Sequence, residues 1–149
     1  MALHSQLTKE IRNGPSGSKV GAFFDLDRTI VAGFSAVAFV RDALLQGQIG
    51  PAQLLQTLTS AVRFQTGRLG CSGLLADTAA TLRDIPEDHF VAMGERLYDD
   101  SLAGDVYPES RALVQAHRRR GHTVAIVSSA TRYQIEPFAR DLGIPHVLC

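Results

Sequence analysis

The sequence predicts an α/β fold in which a partial, doubly wound parallel sheet is interrupted by an inserted helical bundle. Short apolar runs that end in polar residues alternate with segments of helical periodicity, which is the pattern of parallel strands joined by helices. A long helical stretch, residues 34–103, separates the first apolar run from the later ones. This order predicts one α/β core that is split by an insert.

The 149-residue chain has a globular composition, with 45% hydrophobic and 20% charged residues. Basic and acidic residues balance at 15 each, so the charge gives no indication of nucleic acid or an anionic membrane as a partner. Two cysteines are too few for a disulfide framework. No apolar run approaches the length of a membrane span, about 18 residues, and the first residues lack a secretory h-region. We expect a cytoplasmic protein.

The N-terminal residues 1–18 are predicted to be a flexible leader, because residues 13–18 contain a dense run of breakers. The α/β core is then expected in two pieces, residues 19–33 and residues 104–149. The insert between them would form a separate helical cap.

Three short apolar runs predict the strands of the core: residues 20–24, 122–127 and 146–148. They are too short for helices and suit buried parallel strands of a Rossmann-like sheet. The first run ends at Asp25 and the second at Ser128. Ligands of such sheets bind outside the carboxyl ends of the strands, so these two residues are expected to lie close together if their strands are neighbours.

The insert contains segments of helical spacing. Pro51 opens the clearest of them and Gly67 ends it, as expected for a helix. Another follows Pro86, and weaker candidates cover residues 34–46 and 73–84. Four helices of this length would form a small bundle.

The segment Asp25-Leu26-Asp27-Arg28-Thr29, directly after the first apolar run, carries the strongest functional signal. It resembles the Asp-x-Asp-x-Thr motif of haloacid dehalogenase-like phosphatases. Residues 124–128, an apolar run that ends in Ser, resemble the second motif of that family. The resemblance covers residues 20–149, and the helical insert is similar to the cap of the phosphoserine phosphatase-like branch.

The resemblance implies that Asp25 attacks phosphorus and forms an aspartyl-phosphate. Asp27 would protonate the leaving oxygen and then activate the water that hydrolyses the intermediate. A divalent cation offsets the repulsion between carboxylate and phosphate, and Mg²⁺ suits one or two carboxylates with phosphate oxygens and waters. We therefore expect Asp25, together with Asp27 through its backbone carbonyl, to bind Mg²⁺.

Three further residues are expected to serve the phosphate of a small phosphorylated metabolite. Thr29 would hold the shape of the loop through its hydroxyl. Ser128 would donate a hydrogen bond to the phosphoryl group, and Ser129 would add its backbone N–H at the start of a helix. The plainer alternatives are that Asp25 and Asp27 form a polar turn that caps a helix, and that Ser128 is an ordinary helix cap.

The sequence departs from the family pattern in its later motifs. The family has a Lys and an acidic residue downstream of the second motif, whereas both lysines here, Lys9 and Lys19, precede the first. The acids that follow Ser128 are Glu136 and Asp141. We therefore expect the sequence to be a fragment of a longer protein, poorly active by itself.

Two other features leave the function open at this point. Phosphoserine phosphatases resemble one another in a Glu nine residues after the nucleophile, and Phe34 stands at that position here. A non-catalytic phosphatase-like module is the alternative to an enzyme, including the N-terminal half of a fusion with a glycerolipid acyltransferase.

Overall fold

The computed structural model describes residues 2–48, 50–68, 70 and 85–149. The chain divides into two compact units. One comprises Met1–Phe39 with Phe90–Cys149, and the other comprises Val40–His89. The first contains all three strands described below and both phosphatase-like motifs.

A three-stranded parallel sheet forms the centre of the first unit. Its strands are β1, Gly21–Phe24; β2, Thr123–Val127; and β3, His146–Leu148, in the order β1-β2-β3. Both pairs are parallel, with Phe24 opposite Ile126 and Ile126 opposite Val147. The α/β class and the parallel sheet predicted from the sequence are therefore confirmed.

Helices precede, interrupt and connect the strands. The first three are α1, Ala2–Asn13; α2, Ser35–Leu45; and α3, Pro51–Gln65. They are followed by α4, Glu87–Asp100; a 3₁₀ helix, Leu102–Asp105; α5, Pro108–Arg119; and α6, Arg132–Leu142. The helix that we predicted over residues 73–84 lies outside the described residues.

The ends of the two core helices follow from local chemistry. Pro108 is the first residue of α5, where its missing N–H costs no helical hydrogen bond. Basic residues in its last turn complement the negative end of the helix dipole. Helix α6 ends at Gly143, whose φ of 65° is the left-handed conformation that glycine adopts readily.

The prediction of a flexible leader over residues 1–18 does not match the structure. Residues 2–13 form α1, which packs against α5. Leu7 and Ile11 are spaced for one helical face, and they line the same shallow cavity as Phe24. The breakers that follow end the helix, and they do not mark a loose segment.

Residues 14–18 are also held to the turn after α5. Arg120 donates a hydrogen bond to the carbonyl of Gly14, and the N–H of Gly17 donates to the carbonyl of Arg120 at 2.9 Å. Thr123 Oγ1 donates to the carbonyl of Ser18 at 2.8 Å. These bonds fix the chain directly before β1.

The core of the first unit lies between the sheet and helices α4, α5 and α6. Its fully buried side chains include Leu26, Val114, Ile126 and Phe138. In the described part of the chain, no helix is long and apolar enough to cross a membrane.

Helix α4 approaches α6 closely at Gly94, so a larger residue at this position should destabilise the fold. A Cβ added there would overlap the carbonyl oxygen of Tyr133. We expect Gly94→Ala to lower the free energy of unfolding by about 1–3 kcal/mol, because the overlap is with backbone. Urea denaturation measures the change. Gly104→Ala is the control, since nothing lies within 4 Å of its added Cβ, and an equal loss in both variants would contradict the close packing.

The pair His117 and His122 generates a prediction about pH. Their Nδ1 atoms lie 2.8 Å apart, and His122 Nε2 lies 2.9 Å from the carbonyl oxygen of Pro15. Burial, and then the charge of His122, lower the pKa of His117 below its usual value of 6.5. The folded state therefore binds this proton less readily than the unfolded state, so stability is lost as the pH falls below about 6.5.

We expect His117→Gln to reduce this loss of stability in acid. Thermal unfolding between pH 8 and pH 5 measures it, with His146→Gln, at an exposed position, as the control. An unchanged pH dependence in His117→Gln would rule out this pair as its source.

Candidate active site

The loop after β1 is built around the buried residue Leu26. Its side chain is fully buried, and its carbonyl oxygen accepts hydrogen bonds from the N–H groups of Thr29, Ile30 and Val31. Asp25 is exposed and Asp27 is half-buried. Leu26 therefore anchors the loop in the core, between the two aspartates.

Backbone N–H groups hold both carboxylates. Asp25 Oδ1 accepts the N–H of Leu26 at 2.7 Å. Asp27 Oδ1 accepts the N–H of Ser35, the first residue of α2, at 2.8 Å. A negative charge is favourable at a helix N-terminus. The capping role that we considered as an alternative is therefore present for Asp27, and it occupies one of the two carboxylate oxygens.

The next two residues fix the turn of the loop through their backbones. Arg28 has a φ of 60° and donates its N–H to the carbonyls of Val31 and Gly33, at 2.8 and 3.1 Å. The carbonyl of Thr29 accepts the hydroxyl proton of Ser110, on α5, at 2.6 Å. We predicted that Thr29 holds the loop through its hydroxyl, whereas the bonds described here involve its backbone.

Short backbone contacts join the end of this loop to the segment before α5. The N–H of Ala32 donates to the carbonyl of Asp105, and the N–H of Tyr107 donates to that of Ile30, both at 2.9 Å. Val31 forms an isolated antiparallel bridge with Val106. The chain therefore leaves the core and returns to it at neighbouring positions.

The end of β2 carries the second group of predicted site residues. Ser128 donates its N–H to the carbonyl of Leu148 at 3.0 Å, and its Oγ accepts the N–H of Ala130 at 3.3 Å. Ser129 is exposed. The N-cap of α6 is Thr131, so Ser128 is not the ordinary helix cap that we considered as an alternative.

The register of the sheet brings the two groups to one edge. Phe24 lies opposite Ile126, so Asp25 and Ser128 both follow the carboxyl ends of neighbouring strands, which lie about 4.8 Å apart. The other predicted residues, Asp27, Thr29 and Ser129, belong to the same two loops. The structure therefore collects the five predicted residues at one sheet edge.

The two acids that follow Ser128 form ion pairs with arginine side chains. Asp141 pairs with Arg111 at 2.6 Å, and this bond is the main cause of the lowered pKa of its carboxyl group. Asp141 lies in the last turn of α6, about 15 Å along the helix from Thr131. Glu136 pairs with Arg132 at 3.1 Å, and Lys19 lies at the amino end of β1.

Sequence reasoning missed two buried polar residues behind the loops, Ser35 and Gln134. Their exposed fractions are 1% and 6%, and Gln134 Nε2 donates to Ser35 Oγ at 3.1 Å. Gln134 Oε1 also accepts the N–H of Thr131 at 2.8 Å. The spacing Thr131-x-x-Gln134 is a capping-box pattern that the sequence already offers as a signal.

The types of ligand atom at this edge suit Mg²⁺. The two carboxylates, Asp25 and Asp27, are separated by one residue and supply hard oxygen ligands. Within the described ranges, no group of three or more His, Cys, Asp or Glu side chains could hold a metal ion. Two carboxylates fit the way Mg²⁺ is usually bound, with substrate phosphates and waters in its other positions.

Comparison with solved structures agrees with this fold. A protein of unknown function from Bordetella pertussis matches with a TM-score of 0.75 and 21% identity, over 86% of this chain and 58% of the other. A phosphoserine phosphohydrolase-like protein from Francisella tularensis matches with a TM-score of 0.61 and 21% identity, over 87% and 57%. At this identity the likeness shows the fold.

Comparison of sequences identifies the family. A phosphoserine phosphatase of Mycobacterium tuberculosis is 31% identical over 144 residues, which are 92% of this chain and 46% of the relative. The chain thus spans about half the length of the curated relatives it matches. A family model described as haloacid dehalogenase-like hydrolase matches residues 22–149. The chain therefore belongs to the haloacid dehalogenase-like hydrolase family.

Proposed function

We propose that the protein is a Mg²⁺-dependent hydrolase of small phosphate esters, with Asp25 as the nucleophile. The observation that carries this proposal is the pair of carboxylates around buried Leu26, at the same sheet edge as Ser128. The activity is proposed for the whole protein, because the relatives are about twice as long as this chain.

Asp25 is the proposed nucleophile because it is the first residue after β1 and is exposed. The N–H of Leu26 fixes Oδ1, so the plane of the carboxylate is oriented and Oδ2 is the candidate attacking atom. A bond forms between this oxygen and phosphorus while the bond from phosphorus to the ester oxygen breaks. The product of this step is an aspartyl-phosphate and a free alcohol.

Asp27 is the proposed general acid and base. Its Oδ1 is held by the N–H of Ser35, and a proton on its other oxygen would pass to the leaving ester oxygen. In the second step Asp27 would take a proton from water as the water oxygen bonds to phosphorus and the bond to Asp25 breaks. The enzyme then returns to its starting state with inorganic phosphate as product.

The phosphoryl group would be held by the loops that follow β1 and β2. Ser128 would donate its hydroxyl proton, Ser129 its backbone N–H, and Thr29 would support the first loop. When bound, Mg²⁺ would offset the charge repulsion between the Asp25 carboxylate and the phosphate. Asp25 and the backbone carbonyl of Asp27 are the proposed ligands.

We further propose that the helical insert expected over residues 34–103 sets the choice of substrate through its Val40–His89 part, because most of α4 packs into the core of the first unit. The compactness of Val40–His89 supports an insert with its own packing. A cytoplasmic location is proposed because the sequence has only two cysteines, and Cys149 is a free, exposed thiol.

Phe34 is the residue of this site that bears most directly on substrate choice. Phe34 is 58% exposed, and the guanidinium carbon of Arg28 lies 5.8 Å from the centroid of its ring. The position holds a Glu in the phosphoserine phosphatases that the sequence resembles. An aromatic ring beside an arginine offers no negative charge to an ammonium group, so we propose a substrate other than phosphoserine.

Substitution of Asp25 tests its role as the nucleophile. We expect Asp25→Asn to lower kcat for p-nitrophenyl phosphate by about a thousandfold or more, because an amide is a poor nucleophile. Asp100→Asn, at an exposed position near the end of α4, is the control and should retain activity. Equal activity in Asp25→Asn and the wild type would reject the mechanism, and phosphate binding without turnover in the wild type would favour a non-catalytic module.

Substitution of Phe34 tests the proposed choice of substrate. We expect Phe34→Glu to raise kcat/KM for phosphoserine relative to p-nitrophenyl phosphate by about tenfold, since a charged hydrogen bond to the ammonium group becomes available. Phe34→Gln removes the ring without adding charge and serves as the matched control. A wild type that already prefers phosphoserine to other esters would contradict the proposed specificity.

A further inference from the structure

We infer that Ser35 and Gln134 are positioning residues that hold the carboxylate of Asp27 against the second loop of the site. Neither residue belongs to the two motifs, and neither is proposed to touch the substrate. The inference rests on the proposed function, because it concerns the orientation of the proposed general acid.

A continuous chain of hydrogen bonds carries this inference. Asp27 Oδ1 accepts the N–H of Ser35 at 2.8 Å, and Ser35 Oγ accepts from Gln134 Nε2 at 3.1 Å. Gln134 Oε1 then accepts both the N–H and the hydroxyl proton of Thr131, each at 2.8 Å. This series of hydrogen bonds connects the loop after β1 with the loop after β2, in addition to the pairing of the two strands.

Burial makes this connection stiff. Ser35 and Gln134 are exposed by only 1% and 6%, and the neighbouring residue Ile135 is fully buried. A buried polar group that loses its partner cannot exchange it for bulk water, so breaking one bond leaves the other group unsatisfied. The two side chains therefore restrain each other, and through the N–H of Ser35 they restrain Asp27.

The amide of Gln134 suits this role because it donates at one end and accepts at the other. Nε2 donates to Ser35 at the start of α2, while Oε1 accepts from Thr131 at the start of α6. An aliphatic residue of similar length would fill the same volume and make neither bond. This difference allows the connection to be removed without opening a large cavity.

Positioning of a general acid has a kinetic signature that a general loss of structure lacks. An alkyl phosphate needs a proton on its leaving oxygen, whereas p-nitrophenolate leaves readily without one. A displaced Asp27 should therefore slow alkyl esters far more than aryl esters. A loosened fold would slow both classes alike.

The test compares Ser35→Ala, Gln134→Met and the double variant on glycerol phosphate and p-nitrophenyl phosphate. We expect each single variant to lower kcat for glycerol phosphate about tenfold more than for p-nitrophenyl phosphate, with KM changed by less than about twofold. The double variant should be no worse than either single variant, because both break one connection. Ser101→Ala is the control, because the Ser101 hydroxyl donates to the carbonyl of Leu97 in α4 and takes no part in this connection.

Equal losses on the two esters, or multiplicative losses in the double variant, would overturn the inference. A full-length wild-type protein that hydrolyses neither ester would instead refute the proposed function, and the connection is then judged by amide hydrogen exchange in the 149-residue chain. Gln134→Met should speed exchange of the Ser35 N–H about tenfold. Unchanged exchange would show that Gln134 does not restrain this group.

Discussion

The parallel pairing of β1 with β2 is the constraint on which the rest of the site depends. Its register sets Gly21 opposite Thr123 and Phe24 opposite Ile126, so the two strands end within one residue of each other. A shift of one residue would turn each side chain of β1 to the other face of the sheet. It would expose Ala22, now buried, and bury Phe23, now 69% exposed. The burial of β1 and the level of Asp25 are therefore set by the same register.

The sequence predicted the elements whose signals are local. The apolar run at residues 20–24 became Gly21–Phe24, and the run at 122–127 became Thr123–Val127. The site edge followed because parallel strands end together. The role of residues 14–18 was not predicted, because the bonds that hold them come from Arg120 and Thr123, more than a hundred residues away. The hydrogen bond between Ser35 and Gln134 joins residues 99 positions apart, so it could not be predicted before the fold was known.

The chain leaves the core after Val31 and returns to it at Val106, and these two points are in direct contact. Val31 and Val106 bridge each other, and the carbonyls of Ile30 and Asp105 accept bonds across the same gap. The two ends of the inserted segment therefore lie side by side in the first unit, as the two ends of a short loop would. The length and composition of Val40–His89 can then vary at little cost to the sheet, because loop closure depends only weakly on length. Helix α4 is excluded from this freedom, since Met93 and Leu97 belong to the core of the first unit.

The left-handed backbone conformation of Arg28 constrains which residues evolution can place at this position. Among the described residues it is the only one other than glycine with a positive φ, and this conformation costs an L-residue about 1–2 kcal/mol. Glycine would relieve that cost and would also remove a positive charge from the rim. For the phosphate-ester substrate proposed above, selection for thermal tolerance and selection for rapid capture of that anion at low ionic strength therefore act in opposite directions on this position.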